Sequence, residues 1–167
     1  VHAEAHAWVE YHRTFQRVAV LDIGGRDING SVRDLFPNAD YTVLDIRPGA
    51  RVHIIADAAS WTPDREYDVV VCCEVFEHTD VWPEICATAY KAAAPGGKFI
   101  VTCAGPGRGE HSAIDGSGGL HPGEHYANVS ADALGRVLRD CGFVDVITDQ
   151  RTGPCDTRAV AYKPRTA

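Results

Sequence analysis

The residues best able to do chemistry fall into short groups along the first half of the chain. Asp22, Gly24 and Gly25 close an apolar run over 18–23, Asp45 and Ile46 close another over 41–46, Asp57 and Ala58 follow a third over 52–55, and the segment from Glu74 to His78 follows a fourth over 67–73. Each group sets a carboxylate or an imidazole just beyond a β-branched, apolar stretch. In an open α/β sheet that is where ligands bind, outside the carboxyl ends of the strands. Glycine at 24 and 25 leaves no Cβ between backbone and ligand, and an acid about 20 residues further on, Asp45, suits a bidentate grip on ribose hydroxyls. These features point to an adenosine-containing ligand. The turn lacks the G-x-G-x-x-G spacing, since Gly24 is followed by Arg26 and Ile28, with Gly30 later. A pyrophosphate needs a wide, amide-lined nest at a helix N-terminus. A tighter turn with an acid beside it suits a ligand bearing an ammonium or a sulfonium, and disfavours NAD and FAD.

A second group lies in the glycine-rich, aperiodic segment 105–129, which carries His111, His121, His125 and Tyr126. A loop of that length is usually functional or disordered, and its glycines suit a hinged lid over an acceptor site. With His78, the imidazoles of His111 and His125 are the candidate bases for a hydroxyl or protonated-amine acceptor, because imidazole titrates near neutral pH. His78 serves equally well as a brace for its own segment. Glu110-His111 and Glu124-His125 offer metal-ligand types, but Pro122-Gly123 breaks the i,i+4 relation of His121 and His125, so no metal is expected.

Punctuated apolar runs must position these groups. Five continuous apolar runs, with a further pair at 143–148 and 158–162, predict an α/β fold: a Rossmann-like, doubly wound, mostly parallel sheet of about seven strands with an antiparallel final strand. Helices are expected over 3–16, with solvated histidines, over 30–36 stopped by Pro37, over 81–94 stopped by Pro95-Gly96-Gly97, and over 130–140 with Ser130 as N-cap. With 167 residues and 45% hydrophobic content, the chain can bury one core, so residues 1–167 are expected to form a single domain. Net charge is −7, from 23 acids and 16 bases, which disfavours nucleic acid as a partner. Cysteines inside apolar stretches read as buried free thiols. With neither a signal-peptide pattern nor an apolar run of membrane-spanning length, the expected location is the cytoplasm, away from membranes.

The ordered set "VLDIGG", "YTVLDIRPG", "ADAASW", "YDVVVCCEVFEHT", "AAAPGGKFIVT" and "HYANVSADALGRVLRDCGF" resembles the motifs of class I S-adenosylmethionine-dependent methyltransferases, particularly small single-domain ones, over nearly the whole chain. The resemblance implies S-adenosylmethionine as cofactor. It places Asp22, Gly24 and Gly25 by the methionine part, Asp45 and Ile46 at the ribose, Asp57 and Ala58 at the adenine, and Glu74 at the start of the segment flanking the methyl donor. Members acting on base amines carry [DNS]-P-P-[YFW] where this chain has Cys73-Glu74-Val75-Phe76. The expected acceptor is therefore an O or N atom of a small metabolite or glycan-like molecule. A nucleic-acid methyltransferase and a non-catalytic adenosyl-ligand binder are the alternatives.

Overall fold

The computed structural model describes residues 1–166. Among these, seven strands form one sheet: β1 (Ala19–Ile23), β2 (Asp40–Asp45), β3 (Ile54–Ile55), β4 (Tyr67–Cys73), β5 (Ala93–Ala104), β6 (Val144–Gln150) and β7 (Asp156–Tyr162). Their spatial order is β3-β2-β1-β4-β5-β7-β6. The first five pair in parallel, and β7 runs antiparallel to both β5 and β6. The doubly wound sheet with an antiparallel last strand is thus as expected. Strand order reverses between β1 and β4, which opens a crevice beyond their carboxyl ends.

Both sheet faces are apolar, which is why β1 and β4 read as continuous runs. One face, including Leu21, Val70, Phe99 and Val101, packs under α2 (Trp82–Ala92) and α3 (Ala131–Asp140). The other, including Val20, Val69, Val71 and Ile100, is covered by Val9 of α1 (Ala3–His12) and by Val32, Leu35 and Phe36. Ser130 caps α3 as expected, its hydroxyl accepting from the Ala133 N–H at 3.2 Å.

Three elements differ from the sequence reading. Instead of a helix over 30–36, only a 3-10 turn at Arg33–Leu35 forms. Gly30 sits at φ +123° and Pro37 closes the segment, which leaves too few residues to nucleate an α-helix. The N-terminal helix stops at His12, where the Lys98 ammonium donates to the His12 carbonyl at 2.9 Å, so a tertiary contact satisfies the frayed end. Pro95-Gly96-Gly97 does not separate helix from strand. It forms an irregularity within β5, at the register shift opposite Tyr67 to Val69, and a Cβ on Gly97 would lie 2.8 Å from the Ala94 carbonyl oxygen.

Phe99 is fully buried and stacks on Phe143 at 5.7 Å between centroids, joining β5 to the segment after α3. Phe99→Ala should lower the unfolding free energy by about 3–5 kcal/mol. Urea denaturation checks this, with the midpoint expected to fall.

Candidate active site

A cavity of about 490 Å³ lies beyond the carboxyl ends of β1, β2 and β4. Its floor and walls include Gly24, Asp45, Ile46, Asp57, Ala58, Glu74 and His78, and its roof includes His111, Ser112, Glu124 and His125. Six of the eight expected cofactor residues therefore meet at one cavity, together with all three candidate bases.

Asp22 and Gly25 are the two that do not line it. The side chain of Asp22 lies on the sheet face covered by α1, only 4% exposed, and accepts a hydrogen bond from the Tyr41 hydroxyl at 2.8 Å. Burial pushes its carboxyl up to about 7, against the opposing effect of the Tyr41 bond. A Cβ at Gly25 would overlap the Asp22 carboxyl, and one at Gly24 would overlap the Val75 side chain. Both glycines are needed for close packing of the protein against itself. Gly24 also adopts φ +72° and borders the cavity, so close backbone approach to a ligand is retained there alone.

Asp45 ends β2 with its carboxylate pinned at the rim: one oxygen accepts the Arg47 N–H at 2.8 Å and the other the Arg26 N–H at 3.2 Å. Each carboxylate oxygen has a second lone pair for a hydroxyl donor. Asp57 holds the next turn, accepting the Ala59 N–H at 3.0 Å. Ile46 is 66% exposed and, with Leu44, Ala56 and Ala58, gives this end of the cavity an apolar wall that a flat base would cover. A carboxylate with lone pairs to spare beside an apolar wall fits an adenosyl group, which presents two ribose hydroxyls and a flat base.

Glu74 begins the segment after β4 in a left-handed conformation, φ +57°. Its carboxylate accepts from the Thr102 hydroxyl at 2.9 Å and pairs with His2 Nε2 at 3.2 Å. Burial acts to raise its pKa, but His2, Thr102 and Arg108 together hold it below the ordinary glutamate value. His2 rises in turn, chiefly through its bond with Glu74. Arg108 ties this pair to the fully buried Asp156 at 2.6 Å. Of the helix histidines expected to be solvated, His12 has its Nε2 buried, whereas His2 lies just before the expected helix and has no expected role. His2 is drawn to the edge of the site by two carboxylates.

Glu77 is fully buried and neither carboxylate oxygen makes a hydrogen bond of good geometry, although the backbone of Glu77 and Ala104 acts on the carboxylate. Burial, and then the charge of Glu74, raises its pKa well above the ordinary value. His78 Nδ1 is likewise buried without a partner, and burial lowers the ring's pKa to about 4. His111 meets His78 edge-on at 4.9 Å, and Tyr126 packs against both rings.

The segment 105–129 folds over the cavity and is organised by Glu124. Its carboxylate accepts from the His121 N–H at 2.7 Å, the Ala113 N–H at 2.8 Å and the Ser112 hydroxyl at 3.1 Å. Burial opposes its ionisation, but these donors keep its pKa below the ordinary value. Arg26, from the turn after β1, donates to the Ala113 carbonyl at 3.3 Å and ties roof to floor. His121 points elsewhere and pairs with Asp115 at 3.1 Å. Glu124 therefore builds the roof, and the paired Glu-His steps at 110–111 and 124–125 do not converge as ligands among the described residues.

Sequence reasoning missed His2, Arg108, Asp156 and Tyr41, and the hub role of Glu124. Only Glu124 had a local signal, an acid directly after the Pro122-Gly123 turn.

A reversed-order parallel sheet with an acid at the end of its second strand and a roofed crevice at the switch point defines a domain of the class I S-adenosylmethionine-dependent methyltransferase type. The family described as "Methyltransferase domain" matches residues 6–148, and the chain belongs to it. No curated protein matches by sequence. Among solved structures, the apo form of the S-adenosylmethionine-dependent methyltransferase SibL is similar at 23% identity and TM-score 0.71, covering 96% of this chain and 55% of that one. Haemonchus contortus phosphoethanolamine N-methyltransferase 2 with S-adenosyl-L-methionine is similar at 14% identity and TM-score 0.73, covering 97% and 52%. Burkholderia thailandensis 1,6-didemethyltoxoflavin-N1-methyltransferase is similar at 18% identity and TM-score 0.70, covering 96% and 77%. The chain spans about half the length of the first two. At these identities the likeness is one of fold. No helix among the described residues is long and apolar enough to cross a membrane.

Asp22 keeps its proton in the folded state up to about pH 7, whereas its ordinary value is 3.8. Its contribution to stability is then full below the ordinary value and is lost as pH rises towards 7. Urea midpoints measured from pH 4 to 8 should fall less steeply over that window for Asp22→Asn than for the wild type. Glu124→Gln weakens three bonds at the roof, so hydrogen exchange at Ser112 to His121 should quicken while exchange in β4 is unchanged.

Proposed function

We propose that this domain transfers a methyl group from S-adenosylmethionine to an O or N atom of a small-molecule acceptor. The observation that carries the reading is the cavity, which has the Asp45 carboxylate and an apolar wall at one end and a histidine-lined roof at the other. When bound, the cofactor supplies an electrophilic methyl on a sulfonium. The protein's part in such a displacement is to orient and enclose, holding the acceptor atom within about 3–3.5 Å of the methyl carbon and in line with sulfur.

In this reading, Asp45 takes the two ribose hydroxyls, Ile46 and Ala58 cover the base, and Asp57 holds the turn beside it. Glu74, kept ionised by its partners, offers its charge to the ammonium of the methionine part. His125 faces the cavity from the roof as the base for an acceptor proton, with His78 and His111 on the adjoining wall. Segment 105–129 acts as a lid, and its contact with Arg26 couples closure to the turn that borders the cofactor end.

Small acceptors are supported by the roofed cavity of about 490 Å³ and by the acidic balance of the chain, which disfavours polyanions. Among the similar structures, one is named as a phosphoethanolamine N-methyltransferase and another as acting on 1,6-didemethyltoxoflavin, both small molecules. A mass-spectrometric screen of metabolites and short oligonucleotides with S-adenosylmethionine tests the acceptor class. Methyl gain confined to oligonucleotides would overturn it.

Asp45→Ala removes two charge-assisted hydrogen bonds worth roughly 1.5–3 kcal/mol each. Calorimetric affinity for S-adenosylhomocysteine should drop at least tenfold, with circular dichroism unchanged. An unaltered dissociation constant would reduce Asp45 to a support for the Arg26 and Arg47 amides.

A further inference from the structure

Two clusters of side chains bring three metal-ligand atoms close together: His2, Glu74 and Asp156, and Glu77, His78 and His111. The first already holds a cation, because the Arg108 guanidinium bonds Asp156 at 2.6 Å and approaches Glu74 at 3.9 Å. Among the described residues, no comparable cationic side chain pairs with the second. Glu77 is fully buried, yet both carboxylate oxygens and the neighbouring His78 Nδ1 lack hydrogen-bond partners. Buried polar atoms are nearly always satisfied, and beyond the backbone of Glu77 and Ala104, which acts on the carboxylate, these atoms call for a missing partner. Carboxylate oxygens, and an imidazole nitrogen that carries its lone pair, are the atoms that bind a cation.

His111 completes the set in a specific way. Its Nδ1 lies 3.3 Å from the Gly109 carbonyl oxygen, so that nitrogen carries the proton and donates, and the lone pair falls on Nε2. Nε2 lies 3.9 Å from the Glu77 carboxylate. A ring N–H donated to a backbone carbonyl is the usual way a metal-binding histidine is oriented. The Tyr126 hydroxyl donates to the same carbonyl at 2.9 Å and holds it in place. The three ligand atoms all lie within 4.8 Å of one another. Ligands about 2.1 Å from a tetrahedral ion are about 3.4 Å apart, so closing on an ion requires only side-chain adjustment.

We infer that Glu77, His78 and His111 bind a divalent transition-metal cation, Zn²⁺ by donor type, with an open coordination position facing the cavity that takes a hydroxyl oxygen of the acceptor. One carboxylate and two imidazoles suit Zn²⁺ and its first-row neighbours and disfavour Mg²⁺ and Ca²⁺, which prefer oxygen ligands. His78 and His111 both line the cavity, so the open position lies at the acceptor end. A cation there lowers the pKa of a bound hydroxyl, whose proton passes to His125, the base on the roof of the cavity. The acceptor half of the inference rests on the methyltransferase reading, and the cation half does not.

The test uses the full chain without a histidine tag, freed of metal by a chelator and titrated with Zn²⁺ and Co²⁺. One saturable equivalent is expected, with visible Co²⁺ bands and no thiolate charge-transfer band. Glu77→Gln and His111→Ala should each weaken binding at least tenfold, while His121→Ala, whose ring pairs with Asp115, should bind as the wild type does. Acetohydroxamate, a small oxygen chelator, should shift the Co²⁺ bands. Absence of a saturable equivalent, equal binding by all the variants, or a thiolate band overturns the cation site, and unshifted bands overturn the open position. Calorimetry with S-adenosylhomocysteine on the same samples separates the two readings. Cofactor binding without metal binding refutes this site alone, and metal binding without cofactor binding refutes the cofactor assignment alone.

Discussion

The close approach of two turns, one leaving β1 and the other leaving β4, is the constraint on which the site depends. Val75 occupies the space that a side chain at position 24 would fill, and the Asp22 carboxyl occupies the space of one at 25. Because the chain leaves these neighbouring strands in opposite directions, a crevice opens only if the two turns can first touch at its base. Two glycines make that contact possible. The crevice then inherits Asp45 from β2 on one side and the segment from Glu74 to His78 on the other.

Charge is treated differently at the two ends of that segment. Glu74 is buried but compensated by His2, Thr102 and Arg108, with Asp156 completing the network, so a carboxylate can stay ionised beside the cavity. Glu77, three residues later and more deeply buried, has no such company. Desolvating a charge is costly unless a partner repays it, and the same low dielectric strengthens whatever partner is present. The site thus sets one satisfied carboxylate next to one that is not.

The roof shows how an aperiodic segment can still be built. Nothing in 105–129 repeats, yet one carboxylate, Glu124, gathers donors from three positions, and both ends of the segment are sewn to the core. At those ends the Gly105 N–H donates to the Cys155 carbonyl at 2.8 Å and the Val129 N–H to the Ala104 carbonyl at 2.9 Å. Side-chain bonds to backbone take the place of a ladder, which is how a loop satisfies its polar groups without regular structure. Opening such a roof breaks a few local bonds and leaves the sheet intact.

The sequence by itself determined the alternation of apolar runs and turns, the parallel core with its antiparallel close, the cap of α3, and the placing of Asp45, Asp57 and Glu74 just past strand ends. These are local properties, written in continuous β-branched runs, glycines and prolines, and they hold wherever the chain later goes. The tertiary structure alone decided which way Asp22 points, since a strand buried on both faces carries no alternation to mark its sides. It also decided that the 30–36 helix shrinks to one turn, that His2 meets Glu74, and that His111 meets Glu77. Those pairs join residues far apart in the chain, and their distance depends on where loops and helices return over the sheet, which periodicity and spacing do not encode.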